Sequence, residues 1–168
     1  MPELGCANFY LHEQAGQTQG GRGVITEKVV VRWQGEPMEL GRRLHWEAQR
    51  GGLGRAREKL FLGDGIPRIW NLKKDRWAEA RELLDFWQGG QHLWQLGRAL
   101  NSMDESKATP WVADRLHRLR HGQEQAVLTE IAALKATRSQ VGKTVKKEKN
   151  YFANQSERME GDIEPENF

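Results

Sequence analysis

The stretch Lys59-Leu60-Phe61-Leu62-Gly63, followed at once by Asp64-Gly65 and then Pro67, admits few conformations. A run this short and apolar does not suit a surface helix and reads as a buried strand. Gly65 permits a sharp exit, and Pro67 is preset for the first turn of a short helix through Trp70. The unit is strand, turn, helix, with Asp64 at the strand's carboxyl end. In open α/β sheets ligands gather outside the carboxyl ends of strands, so position alone makes Asp64 a functional candidate.

Around this unit the chain is unevenly patterned. Residues 13–23 are rich in Gly and Gln and read as a flexible linker. Val24 to Trp33 holds the β-branched run Val29-Val30-Val31 and reads as a strand. Glu36-Pro37 opens a helix with Leu40, Leu44 and Ala48 on one face, and Arg50-Gly51-Gly52 closes it. Residues 75–87 are helical by propensity with Asp75 as N-cap, although Leu83–Phe86 suits a buried strand equally well. Gly89-Gly90 is expected to break the chain. Leu93, Leu96 and Leu100 then mark a third helix. Thr109-Pro110 is expected to start a fourth with Val112, Leu116 and Leu119, and Val127, Leu128, Ile131 and Leu134 mark a fifth. From Lys135 to Lys149 there are six Lys or Arg and one acid, and residues 157–168 hold five acids and one Arg.

Only 35 of the 168 residues are Leu, Ile, Val or Phe, which is close to the point where a core becomes hard to build. Seven tryptophans offset part of that shortage. A net charge of +3 excludes a histone-like polycation. The single cysteine, Cys6, excludes an internal disulfide framework and a Cys-rich zinc module. No stretch approaches the ~20 apolar residues of a membrane span, and the first residues do not read as a secretory signal. The expectation is a soluble cytoplasmic protein with no membrane partner.

Each candidate for chemistry has a plainer account beside it. Gly142-Lys143-Thr144 resembles the end of a phosphate loop, but Thr137 stands where the first glycine belongs. Gly52-Leu53-Gly54 has two glycines of a dinucleotide fingerprint, with Arg57 in place of the third, and a helix C-cap explains it better. His117 and His121 are one turn apart, as a metal would need, yet Arg118 and Arg120 flank them and favour a solvated face. Trp70, Trp77, Trp87 and Trp94 suit a base-stacking platform less well than ring burial. Lys143, Lys146, Lys147 and Lys149 suit phosphate contacts, or simply a solvated helix face; Tyr151-Phe152 beside them suits a core as well as a contact surface. Asp64 and Asp85 each follow an apolar run that can be a strand, so both carboxylates can meet at one sheet edge. Hard cations such as Mg²⁺ seek such oxygens. A turn-former before Gly65 and a helix-surface acid are the alternatives.

Two segments carry a family resemblance: GDGIPRIWNL at 63–72 and LDFWQGGQHLWQLGRAL at 84–100. With NYFANQSERM at 150–159 they resemble the ISKra-type bacterial insertion-sequence transposases, an RNase H-like DDE lineage related to the Mutator elements. The likeness covers roughly residues 38–159. It implies DNA transposition with Mg²⁺: nicking at element ends, then strand transfer by a 3′-hydroxyl. It assigns Asp64 to the second carboxylate of the triad and metal ligation. It makes Asp85 the start of an Asp-x-x-His signature whose histidine is Gln88 here, and puts Leu83–Phe86 in a strand.

The first triad Asp has no counterpart, because no Asp precedes Asp64. The last Glu belongs to a motif that GDIEPENF does not match. The resemblance therefore implies a truncated transposase that holds Mg²⁺ poorly. Its partners would be DNA, a second copy, or a full-length transposase. The expected fold class is α/β, a partial RNase H-like fold with a helical insertion, helix-rich overall. Residues 1–23 would be a flexible segment, 24–109 the catalytic-domain fragment, 110–156 the helical insertion, and 157–168 a disordered acidic tail. The alternative is a non-catalytic basic helical module that binds DNA or a full-length transposase.

Overall fold

A computed structural model of the chain describes residues 4–11, 15–18, 23–135 and 139–159. They are helix-rich with small sheets, and they form two compact units. The first takes in the described residues up to Phe61 together with Ile66–Arg81. The second takes in Leu62–Gly65 and the described residues from Glu82 onward.

In the first unit, β1 (Leu4–Phe9) pairs antiparallel with β4 (Val29–Gln34), Leu4 opposite Gln34 and Phe9 opposite Val29. The short strands β2 (Ala15–Gln17) and β3 (Gly23–Ile25) pair with each other. The segment 1–23 is thus not simply a flexible linker: its described residues include two strands. The partner of β1, β4, lies well along the chain, beyond the reach of a local reading. Residues 12–14 and 19–22 lie outside the described residues, and the strand expected from Val24 to Trp33 is divided between β3 and β4.

Helix α1 (Pro37–Arg50) has proline in its first turn and buries Leu40, Leu44 and Ala48. A 3-10 turn, Leu53–Arg55, follows Gly52, whose φ is +95°. Leu40 and Leu44 share a core with Val31, Leu72, Trp77 and Ala80.

Strand β5 (Leu60–Gly63) lies where the apolar run predicts, but only Gly63 is buried. Alternation puts Phe61 and Gly63 on one face and Leu60 and Leu62 on the other, and the last two are exposed. Helix α2 (Pro67–Arg76) outlasts the expected short helix. Asp75 is therefore near its end and is not an N-cap. The chain turns at Trp77, whose ring is buried and lies 5.7 Å from that of Phe61.

The helix expected over 75–87 is replaced by strand β6 (Arg81–Leu84). The Arg81 amide donates to the Lys59 carbonyl and the Asp85 amide to the Gly63 carbonyl, both at 2.8 Å. Donors and acceptors advance together by four residues, so β5 and β6 run parallel. Pairing with a distant strand outweighs the local helical propensity. The strand that the resemblance implies at Leu83–Phe86 is matched by one two residues earlier, since Phe86 already belongs to the next helix.

The second unit is built on α3 (Phe86–Leu100), α4 (Glu105–Arg120), α5 (Glu124–Ala133) and α6 (Gln140–Met159). Gly89-Gly90 does not break the chain but lies inside α3. Each glycine costs a helix about 1 kcal/mol. Burying Leu93 and Leu96, both 0% exposed, returns about 1.5–3 kcal/mol apiece. Gly97 allows close helix packing, because a Cβ there would lie 2.6 Å from a Val112 methyl.

Helix α4 starts earlier than Thr109-Pro110. Asp104 caps it by accepting from the Ser106 amide at 3.0 Å, and Pro110 lies inside the helix. Val127, Ile131, Val145 and Phe152 complete this core. Beyond residue 110 the described residues form helices and connections with no strand. Residues 157–159 belong to α6, whereas the rest of the expected acidic tail, 160–168, lies outside the described residues. Among the described residues no helix is long and apolar enough to cross a membrane.

Candidate functional site

Asp64 and Asp85 each stand one residue past the end of a parallel strand, and the Asp85 amide bonds to the carbonyl beside Asp64. The two acids foreseen at one sheet edge are thus brought to neighbouring strand ends. Both are half-buried. Their environments differ. Asp85 is the N-cap of α3, and its Oδ1 accepts from the Trp87 amide at 2.8 Å and the Gln88 amide at 3.1 Å. That carboxylate answers two amides that α3 itself leaves open. Capping therefore accounts for Asp85 without any ligand.

Asp64 sits in the turn Gly63-Asp64-Gly65, and Gly65 has φ +90°. Helix α6 lies against this turn. Gln155 donates from Nε2 to the Gly65 carbonyl at 3.0 Å, and a Cβ on Gly65 would stand 2.9 Å from the Tyr151 hydroxyl. That hydroxyl is buried, with no hydrogen-bond partner among the described residues. Burial, then the charges of Asp64, Glu148 and Asp85, push the Tyr151 phenol up to about 12. Tyr151 stacks on His92 of α3 with ring centroids 3.4 Å apart. The His92 Nδ1 meets Glu148 Oε2 at 2.6 Å, and Glu148 is fully buried. Burial works to raise the Glu148 carboxyl. The His92 contact and Lys147, whose ammonium is 3.3 Å from Oε1, outweigh it and hold the carboxyl below its ordinary range. Arg158 pairs with Glu82 on β6.

His92, Glu148, Gln155 and Arg158 are not singled out by the sequence reading. A signal for Glu148 and Gln155 exists. Val145, Glu148, Phe152, Gln155 and Met159 recur at alternating steps of three and four, the spacing of a buried helix face. Two polar residues in that phase mark places where the helix meets polar partners.

The residues at the strand ends do not fit a two-Mg²⁺ site. Such a site needs several carboxylates around both ions. Among the described residues no group of three His, Cys, Asp or Glu side chains is placed to hold a metal. Asp85 caps a helix, and Glu148 is engaged by His92 and Lys147.

The other candidates are scattered. On α6, Lys143 and Lys146 are exposed and Lys147 is two-thirds exposed, touching Gln95 at 3.3 Å. Lys149 departs from the set: its ammonium donates to the Leu134 carbonyl at 2.6 Å, just past the end of α5. Gly142-Lys143-Thr144 lies inside α6. His117 and His121 are exposed, and His121 Nδ1 is turned to the His117 carbonyl. Of the four spaced tryptophans, Trp70 and Trp77 are buried as ring burial predicts, Trp94 is half-buried, and Trp87 is 72% exposed. No family model, curated protein or solved structure matches the chain.

Proposed function

We propose that this chain is part of an RNase H-like DDE transposase, that Asp64 is the acid its resemblance assigns to the metal-binding triad, and that DNA is its ligand. The observation that supports this is the parallel β5–α2–β6 unit with Asp64 and Asp85 at adjacent carboxyl ends, where α/β folds bind ligands. Displacement at a phosphodiester develops charge on the attacking and leaving oxygens, which DDE enzymes meet with two divalent ions. The described residues bring too few carboxylates together for that, and DNA binding without cutting is the activity that this reading gives the chain. A second reading, a non-catalytic basic module that docks on DNA or on a full-length transposase, is favoured by the exposed Lys143, Lys146 and Lys147.

The test is a mobility-shift and nicking assay of the full chain on duplex DNA with Mg²⁺ or Mn²⁺ across a salt series. Salt-dependent binding without nicking is expected, with Asp64→Asn indistinguishable from wild type. No binding at low salt would overturn DNA as the ligand. Metal-dependent nicking abolished by Asp64→Asn would show that the site is complete.

A further inference from the structure

We propose that helix α6 holds the Gly63-Asp64-Gly65 turn in place, with Tyr151 and Gln155 as positioning residues for the Asp64 carboxylate. The inference rests on reading Asp64 as the acid that the resemblance assigns to the metal-binding triad. Three observations carry it.

The four residues Leu62–Gly65 belong to the helical unit, although their chain neighbours Phe61 and Ile66 belong to the other. The turn is therefore organised by what it packs on, not by what it is joined to. Its partners form one stripe of α6. Tyr151, Gln155 and Arg158 are spaced i, i+4, i+7, so they share a helix face. Tyr151 closes on Gly65, Gln155 bonds to its carbonyl, and Arg158 reaches Glu82 on β6. The helix thus touches the turn that follows β5 and the strand β6. The stripe is itself anchored, because Tyr151 is stacked on His92, which is tied to the buried Glu148 one turn earlier.

Polar groups make the hold directional. The Gln155 amide fixes the Gly65 carbonyl and with it the peptide plane after Gly65, while the Asp85 amide fixes the Gly63 carbonyl and the plane before Asp64. The Tyr151 hydroxyl leaves no room for a side chain at Gly65, whose φ of +90° glycine adopts freely. With the peptide planes before Asp64 and after Gly65 both held, Asp64 has a restricted choice of χ1.

The test uses the full chain without DNA or metal. The χ1 populations of Asp64 come from its α–β proton couplings, and amide exchange is followed at Asp85, which bonds to the Gly63 carbonyl. Gln155→Met keeps the length of the side chain and removes the donor. Tyr151→Phe keeps the ring on His92 and removes the hydroxyl. One dominant Asp64 rotamer is expected in the wild type and averaging in Gln155→Met. Exchange at Asp85 should accelerate by about tenfold, with exchange at Val112 and Val127 unchanged. Tyr151→Phe should shift the populations in the same direction by a smaller amount, and it carries the test if Gln155→Met does not fold. An Asp64 rotamer distribution indifferent to the variants that fold would overturn the proposal and leave any DNA binding untouched. Loss of DNA binding in the separate assay would leave this result standing.

Discussion

Gln155 donates a hydrogen bond to the carbonyl of Gly65, ninety positions earlier in the chain, and the bond is buried. The bond ends on the residue after Asp64. Gly65 is thereby held from the side-chain end of α6 as well as through its own backbone.

The first expectation concerns that glycine. Gly65→Ala places a Cβ at φ +90° and 2.9 Å from the Tyr151 hydroxyl. A loss of about 1–3 kcal/mol is expected in urea unfolding. Adding Tyr151→Phe should recover only the steric part, since the backbone strain persists. A Gly65→Ala chain within about 0.5 kcal/mol of wild type would show that the turn relaxes freely.

Asp85 separates capping from chemistry. Asp85→Asn keeps an acceptor for the Trp87 and Gln88 amides and should cost only a few tenths of a kcal/mol. Asp85→Ala should cost about 0.5–2 kcal/mol. Equal losses in the two variants, measured by thermal or urea unfolding, would mean that the charge and not the cap is what matters.

Glu148 gives a pH signature. Its carboxyl is held below the ordinary value of 4.5 in the folded chain, so it binds protons more weakly there than when unfolded. Its contribution is therefore complete above pH 4.5 and is lost as the pH falls through the folded value. Glu148→Gln should be less stable than wild type at pH 7 by about 1–3 kcal/mol, because His92 loses its charged partner. The difference should narrow below pH 4. A gap between the two denaturation curves that stayed constant from pH 7 to pH 3 would contradict the assignment.

The lysines of α6 divide into two kinds. Replacing Lys143, Lys146 and Lys147 with Gln should weaken binding to all duplex sequences alike and reduce the salt slope by up to about three. Lys149→Gln should instead loosen the end of α5, whose Leu134 carbonyl it occupies, and should be seen in unfolding rather than in the salt slope. Strong preference for one DNA sequence would indicate base readout and a different interface.

What could be read in the sequence was what neighbours decide. Strand β5, the Asp64-Gly65 exit and helix α1 all follow from short runs with their own start and stop residues. The stretch around 81–86 stayed open between helix and strand, because what decides it is bonding of the Arg81 and Asp85 amides to the carbonyls of Lys59 and Gly63, which no window of local propensity contains. Gly89-Gly90 looked like an end because glycine weakens an isolated helix; the burial of Leu93 and Leu96 reverses that. The acids were legible as candidates, and their placement at adjacent strand ends followed from the strands. The polar stripe of α6 shows in the sequence only as Glu148 and Gln155 in the phase of a buried face; their partners, 56 and 90 positions away, were not legible.

The stripe on α6 also makes that helix intolerant of changes in length. An α-helix turns about 100° per residue, so one residue inserted between Tyr151 and Gln155 would swing Gln155 and Arg158 round the axis by more than a quarter turn. Neither could then face its partner while Tyr151 kept its seat on His92. Substitutions along α6 are local events, each felt at one contact. A single-residue insertion or deletion is not, because it would force a choice among Glu148, Gly65 and Glu82 as to which stays engaged. For this helix the count of residues is as much a part of the design as their identity.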